Sequence, residues 1–321
     1  MKNILVANYS LKTVGGSETF TYTLIEELKK RNYNVEYFTF IKGDISNRIE
    51  NNLGVNFMSR RKYDLILANH NTCVKKIFKR GFTIQTCHGV YPELEQPSRF
   101  ADAHVSISNE IQNYLANKGF SSRLILNGIN CNRYNIKKNI NETLTNVLSL
   151  CHSNSANDVL AEIAERLNFK LKIAYKYEKP IWKIENEINE VDLVVGLGRS
   201  AYEAMACGRP VIIWDKRDYF ESYGDGYIKN KLGFSIQNNC SGRYSKKTYT
   251  TKELEQEFNK YNFKDGEYFR SFAENNLNIK ITVNQYFDYL DTIKKTKNKH
   301  AAIKILKTII PNSFIKALFK K

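Results

Sequence analysis

The feature that most restricts this chain is an alternation of strand-length apolar runs with amphipathic helical segments, which occurs twice. Apolar runs lie at residues 4–7, 35–40, 64–68, 82–86, 104–107 and 123–126. A helix is predicted over 17–31, with Phe20, Leu24, Ile25 and Leu28 on one face. Ser17 is its expected N-cap, and Glu18 suits the helix dipole. A second helical pattern covers 109–118. After a polar stretch at 132–146 the alternation restarts, with strands at 147–150, 171–175, 192–195 and 210–214 and helices at 156–167 and 200–206. Beyond Thr251 the pattern is mainly helical. Alternation of this kind means parallel sheets covered by helices on both faces. A length of 321 residues exceeds one typical core. The expected organisation is therefore an α/β domain over 1–140, a second over 141–290, and a tail over 291–321.

Apolar residues make up 42% of the chain and aromatic residues 12%, enough for two substantial cores. The formal net charge of +16 points to an anionic partner: nucleic acid, acidic lipid or a phosphorylated substrate. No nucleic-acid motif or interleaved basic–aromatic platform accompanies that charge, so a nucleic-acid partner is not expected. The cysteines (Cys73, Cys87, Cys131, Cys151, Cys207, Cys240) are scattered without C-x-x-C or His pairing. That pattern argues against a zinc site or a disulfide framework, and several of them sit in apolar runs as buried thiols would. The N-terminus lacks a signal-peptide pattern and no stretch reaches a membrane span, so a cytoplasmic protein is expected.

The most informative segment is 191–215, VDLVVGLGRSAYEAMACGRPVIIWD. An apolar strand ends in Gly196-Leu197-Gly198, which opens a short helix through Arg199 and Ser200. Glycines at that corner admit positive φ and close approach of a ligand, and a helix start offers N–H groups to phosphate. Glu203 follows within the first turns, near the carboxyl edge of the sheet, where α/β folds bind ligands. A carboxylate there can accept both hydroxyl protons of a ribose. Gly208 is expected to end the helix and Pro210 to begin the next strand.

This segment resembles the donor-binding signature of glycosyltransferase family 4, a retaining GT-B group. Glu203-Ala204-Met205-Ala206-Cys207-Gly208-Arg209-Pro210-Val211 matches the family's Glu-Ala-Met-Ala-x-Gly-x-Pro-Val element. The resemblance implies a GT-B fold: two Rossmann-like domains facing across a cleft, with the second holding a nucleotide diphosphate sugar. Glu203 inherits the ribose contact, and Gly196 and Gly198 map to the family's loop glycines. In the first half, Gly15-Gly16 resembles the loop beside the donor phosphates and sugar. His88-Gly89 resembles the cleft histidine, a catalytic position. The run 101–108 resembles a strand entering a serine-capped helix, and Asn127-Gly128-Ile129 the element closing the first domain, with Asn130 where Asp is usual. Alone, each has a plainer reading: a strand–helix turn for Gly15-Gly16, a core histidine for His88, a turn dipeptide for Asn127-Gly128.

Two features depart from the family. The carboxylate expected eight residues before Glu203 is replaced by Val195. The Arg and Lys that follow the first strand of the second domain are also missing. Residues 149–154 offer only His152 and polar groups there, and Asn157 stands near the Lys position. A departing nucleoside diphosphate accumulates negative charge, so a substitute is needed. Arg199 is the expected one, with the backbone N–H groups of 198–201 and His152 as contributors and Lys176 as a weaker candidate.

The reaction the resemblance implies is glycosyl transfer to a hydroxyl of a glycan or lipid-linked acceptor, with retention and without metal or other cofactor. A role in cell-surface polysaccharide or glycoconjugate synthesis follows from it. From Lys294 the chain has no acidic residue. Ala302, Ile303, Leu306, Ile309 and Ile310, then Phe314, Ile315, Leu318 and Phe319, make apolar stripes among lysines. Such a basic amphipathic tail suits an anionic membrane surface at the inner face of the membrane, or packing back on the first domain. Two rival classes share the fold: a catalytically silent subunit that binds glycan or a partner transferase, and a sugar-nucleotide epimerase.

Overall fold

The computed structural model describes residues 2–174, 180–217 and 221–309, the last stretch by backbone alone from residue 296. The chain opens with β1 (Asn3–Ala7), α1 (Gly16–Lys30), β2 (Asn34–Phe38), α2 (Asp44–Leu53), β3 (Tyr63–Ala68) and α3 (Asn71–Ile77). It continues through β4 (Gly81–Cys87), β5 (Ala103–Ser106), α4 (Asn109–Asn117) and β6 (Ser122–Leu124). These strands form one sheet in the order β2-β1-β3-β4-β5-β6, every pair parallel.

The second half brings β7 (Asn146–Ser149), α5 (Asn154–Leu167), β8 (Lys170–Ile173), α6 (Ile184–Asn189), β9 (Leu193–Val195), α7 (Arg199–Ala206) and β10 (Val211–Ile213). Next come β11 (Tyr223–Gly224), β12 (Gly226–Tyr227), α8 (Leu232–Ser235), β13 (Lys247–Thr248), α9 (Thr251–Phe258) and α10 (Asp265–Phe272). The sheet order is β12-β10-β9-β7-β8, parallel except for β12, while β11 and β13 pair as a separate ribbon. Both sheets are of the α/β class expected from the alternation. Each has a switch point, beside β1 in the first and beside β7 in the second, where ligands bind at the strand ends.

Alternate residues of the second sheet face opposite cores. Leu148, Val194, Val211 and Ile213 pack with Ala201 and Met205 of α7. Val147, Leu193, Val195 and Ile212 pack with Leu160 and Ile163 of α5 and Phe258 of α9. Such near-continuous apolar strands are what burial on both faces demands. All six cysteines are buried.

Local signals account for several of the element ends, but not for the start of α1. Ser108 caps α4, its Oγ accepting from Ile111 N, and Ser153 caps α5 in the same way through Ala156 N. Gly208 takes φ +67°, closing α7 as expected. Ser17 is not the cap of α1. The helix begins one residue earlier, Gly15 is its N-cap, and the Ser17 hydroxyl is turned to the Glu18 carboxylate at 3.1 Å.

The two sheets are joined by paired backbone. Ile129 N–H donates to Leu277 O at 2.6 Å and Ile279 N–H to Ile129 O at 2.9 Å. A Cβ at Gly128 would lie 2.7 Å from Ile279 Cα, so only glycine allows this approach. Asn130, where Asp was expected, accepts from the N–H groups of Asn132 and Arg133 through Oδ1 and donates through Nδ2 to Glu26 of α1. A carboxylate would lack the second contact.

Both sheets belong to one compact unit that runs through Thr282; from Val283 the chain forms a second unit. The helix α11 (Ile279–Ile309) continues into that unit. No described helix is long and apolar enough to cross a membrane. The apolar stripes expected in the tail lie on side chains outside the described residues, as does Lys176.

Candidate functional site

A cleft of about 440 Å³ is lined from both sheets, and its walls are the segments that leave the carboxyl ends of the strands. The first sheet contributes Gly15, Gly16, His88, Glu95 and Asn127; the second contributes His152, Leu197, Gly198, Arg199, Ser200, Glu203, Arg217 and Arg243. The site residues expected from the sequence line this one cleft, except Gly196, which packs behind it against Leu150 and Ser200.

Glu203 owes its place to the turn before α7. Gly198 has φ +60°, a left-handed conformation that costs other residues free energy, and its N–H donates to Cys240 O at 2.8 Å. The helix starts at Arg199, and Glu203 follows one turn later on the same face. Burial raises the Glu203 carboxyl above its ordinary range, with Arg199 pulling the other way. Arg199 Nε donates to Glu203 Oε1 at 2.9 Å. Its Nη1 donates to Gly128 O at 3.1 Å and its Nη2 to Thr23 Oγ1 at 3.2 Å, so the guanidinium joins α7 to the hinge and to α1. Of the N–H groups expected to face phosphate, that of Gly198 is committed to Cys240 and that of Ala201 to Gly198 O. The first helical turn leaves over those of Arg199 and Ser200.

His88 is held at both ring nitrogens. The Thr21 hydroxyl donates to Ser17 O, and Asn69 Nδ2 donates to Thr21 Oγ1 at 2.8 Å, which leaves Asn69 Oδ1 as an acceptor. His88 Nε2 sits 3.1 Å from that oxygen and so carries the proton. Nδ1 faces Asn127 Nδ2 at 3.5 Å. The ring meets Phe20 edge-on at 5.4 Å. Burial, with His70 and Arg199 nearby, pushes its pKa down to about 3, so this imidazole is neutral at physiological pH.

The position where the resemblance expects a carboxylate is closed off from the cleft. Val195 is fully buried and faces α5, away from the cleft. Asn157 is buried as well, its Oδ1 accepting from Ser149 Oγ at 2.6 Å. Neither position reaches a ligand in the cleft.

Three charged groups on the cleft were not picked out from the sequence. Glu95 lies after the His88–Gly89 loop, and burial beside Glu18 raises its pKa to about 7. A Cβ at Gly89 would come within 2.3 Å of Glu95 Oε2. Arg217 follows β10, and its Nε donates to Asp215 Oδ2 at 2.8 Å. Arg243 holds Glu110 of α4 with two bonds, 2.7 Å from Nε and 2.6 Å from Nη2, and so ties the second sheet's side of the cleft to the first. Arg217 had a signal available, since it leaves a strand end as His152 does. Glu95 closes a short 3-10 turn, Glu93–Glu95, Arg243 sits in a turn, and neither had one. The lining also includes the apolar residues Leu150, Ala174, Ile181 and Trp182. Trp182 packs against Tyr22 and under Arg48 and Arg133.

Comparison with solved structures identifies this arrangement as the GT-B fold. HepE of Anabaena, solved with UDP and glucose, is similar with a TM-score of 0.58 at 15% identity, over 91% of this chain and 100% of that one. A glycosyltransferase from Rickettsia africae gives 0.59 at 13% identity, over 92% and 99%. An alpha-glucosyltransferase solved with UDP and a 13-mer DNA gives 0.53 at 11% identity, over 89% and 98%. No protein-family model matches the sequence, and no curated protein matches it.

Proposed function

We propose that this chain is a glycosyltransferase that binds a nucleotide diphosphate sugar in the cleft and transfers the glycosyl unit to a hydroxyl acceptor. One observation carries the proposal: Glu203 and the turn at Leu197-Gly198 stand together on the cleft wall at the carboxyl edge of the second sheet. A ribose diol suits the carboxylate, and the helix start beyond Gly198 suits phosphate. The apolar lining residues, Trp182 among them, suit a nucleobase. Support comes also from the solved proteins of this fold, which include HepE with UDP-glucose bound.

The family resemblance suggests retention. The bond from the anomeric carbon to the leaving phosphate would break while the acceptor oxygen bonds to the same face. The acceptor proton would pass to the departing phosphate. His88 is held neutral and serves the sugar end by contact rather than as a base. The acceptor would be a glycan or lipid-linked saccharide at the inner membrane face, reached through the basic tail. Equal flotation of full-length chain and a 1–295 truncation with anionic vesicles would remove the tail from the account.

A second reading, a silent subunit that binds glycan or a partner, draws on the burial of Val195. Purified chain incubated with uridine and guanosine diphosphate sugars separates the two. Release of nucleoside diphosphate, with or without acceptor, is expected of the transferase. No release from any donor would favour the silent subunit.

A further inference from the structure

We propose that Asn239 and Ser241, on the loop between α8 and β13, supply neutral hydrogen-bond donors to the donor diphosphate. This rests on the donor-site reading above. Both residues line the cleft. Their loop is bound to the turn that opens α7, because Gly198 N–H donates to Cys240 O at 2.8 Å. Asn239 and Cys240 take left-handed φ of +56° and +47° to bring that carbonyl into place. Asparagine tolerates such a conformation, whereas cysteine does not adopt it readily. The bend leaves two polar side chains on the cleft, one on each side of Cys240 in the chain.

Two side-chain observations give the loop its chemistry. Tyr202 of α7 is fully buried, and its hydroxyl donates to Asn239 Oδ1 at 2.9 Å. That bond orients the amide, with Nδ2 as its other end, 3.6 Å from where a Cβ on Gly198 would lie. Among the described residues Nδ2 meets no acceptor. Ser241 is only 8% exposed, and its Oγ is buried without a hydrogen-bond partner among the described residues. An unmatched buried hydroxyl costs free energy, and a ligand oxygen within its reach removes that cost. The N–H groups left over at Arg199 and Ser200 belong to the same helix start. Donors gathered there fit the oxygens of a phosphate. The arginines on the cleft are each paired with a carboxylate, Arg199 with Glu203, Arg217 with Asp215 and Arg243 with Glu110. Their charge is thus balanced within the protein, and Asn239 and Ser241 add bonds to phosphate without a further charge. Donors held in place in this way face the negative charge that grows on the leaving group.

The test is calorimetric titration of uridine and guanosine diphosphates, and of the bare nucleosides, into the full chain and its Asn239→Asp and Ser241→Ala variants. Melting temperatures of the unliganded proteins accompany it. Asn239→Asp keeps an acceptor for Tyr202 and replaces the N–H groups with a carboxylate oxygen. The preferred diphosphate should weaken by about 10- to 100-fold in Asn239→Asp and by about 10-fold in Ser241→Ala, the range of hydrogen bonds to charged groups. The nucleoside should change by less than about threefold in both. Ser241→Ala should melt no lower than wild type, since it removes a buried group that has no partner. It also carries the test should Asn239→Asp fail to fold. Unchanged diphosphate affinity in either variant would overturn the assignment of that residue and leave the donor site standing. Equal losses of nucleoside and diphosphate would also overturn it, since the loop would then only shape the site. A wild-type chain that binds no nucleoside diphosphate would overturn the donor-site reading itself, and this proposal with it.

Discussion

Arg199 donates from Nε to Oε1 of Glu203 at 2.9 Å, one helical turn apart, and both side chains are less than a tenth exposed. The same guanidinium reaches Gly128 at the hinge and Thr23 on α1. The carboxylate proposed to hold the ribose is thereby coupled to the seam between the two sheets.

Removing Arg199 should expose that coupling. Arg199→Ala would leave Glu203 buried without its partner, at a cost of about 3 kcal/mol. Burial already raises the folded-state carboxyl above its unfolded value, and the variant would raise it further. The cost is therefore present when Glu203 is ionised and shrinks as pH falls through its folded-state value. Melting temperatures of wild type and variant should differ by several degrees at pH 8 and converge as the pH is lowered. A constant gap would show that the lost contacts to Gly128 and Thr23 matter more than the charge.

His88 should remain neutral well into acid. Its donor position is set by Asn69, whose amide is in turn oriented by Thr21. Long-range nitrogen–proton correlation spectra should report a protonated Nε2 and a bare Nδ1, unchanged between pH 8 and 5. A titration midpoint near 6.5, the value of an unburied imidazole, would refute the arrangement.

The family carboxylate cannot be restored by substitution at its usual position. Val195 is fully buried and faces the core between the second sheet and α5. Val195→Glu would bury an unpaired charge and cost several kcal/mol, about 3 or more. The variant should melt at least about 5 °C below wild type or fail to fold, without a gain in donor turnover. A stable, more active variant would mean that this side chain faces the cleft.

Much of this was legible in the sequence, for physical reasons that differ by residue. Apolar strands buried on both faces announce themselves as runs, so 4–7, 64–68 and 192–195 were found with ends shifted by a residue or so. Glu203, Gly198 and His88 were singled out by strand ends, glycine corners and the family resemblance together, and all three line the cleft. Helices α2 and α3 were not picked out: they are short, and Asn and Lys dilute their apolar faces. Glu95, Arg217 and Arg243 take their meaning from partners distant in sequence or from burial that only the fold creates. The cap of α1 was misplaced because Ser17 turns to Glu18, a local competition that residue preference does not resolve.

Glu95 offers a pH test independent of any ligand. Its folded-state pKa of about 7 lies above the unfolded value near 4.5, so the folded chain holds a proton that the unfolded chain releases between them. Its charge is not a burden below the lower value; the burden grows through the window and is complete above the upper one. Glu95→Gln should stabilise the chain by about 3 kcal/mol at pH 8 and by little at pH 4.5. Thermal melts at both values check this, and a pH-independent difference would place the carboxyl in solvent.

The most direct test of the central claim is a thermal-shift titration with nucleoside diphosphates and their sugars, run on wild type and on Glu203→Ala. Saturable stabilisation by one nucleotide series, measured against each protein's own unliganded melting temperature and abolished in the variant, is the predicted result. Stabilisation of equal size in Glu203→Ala, or none in wild type with any nucleotide, would contradict it.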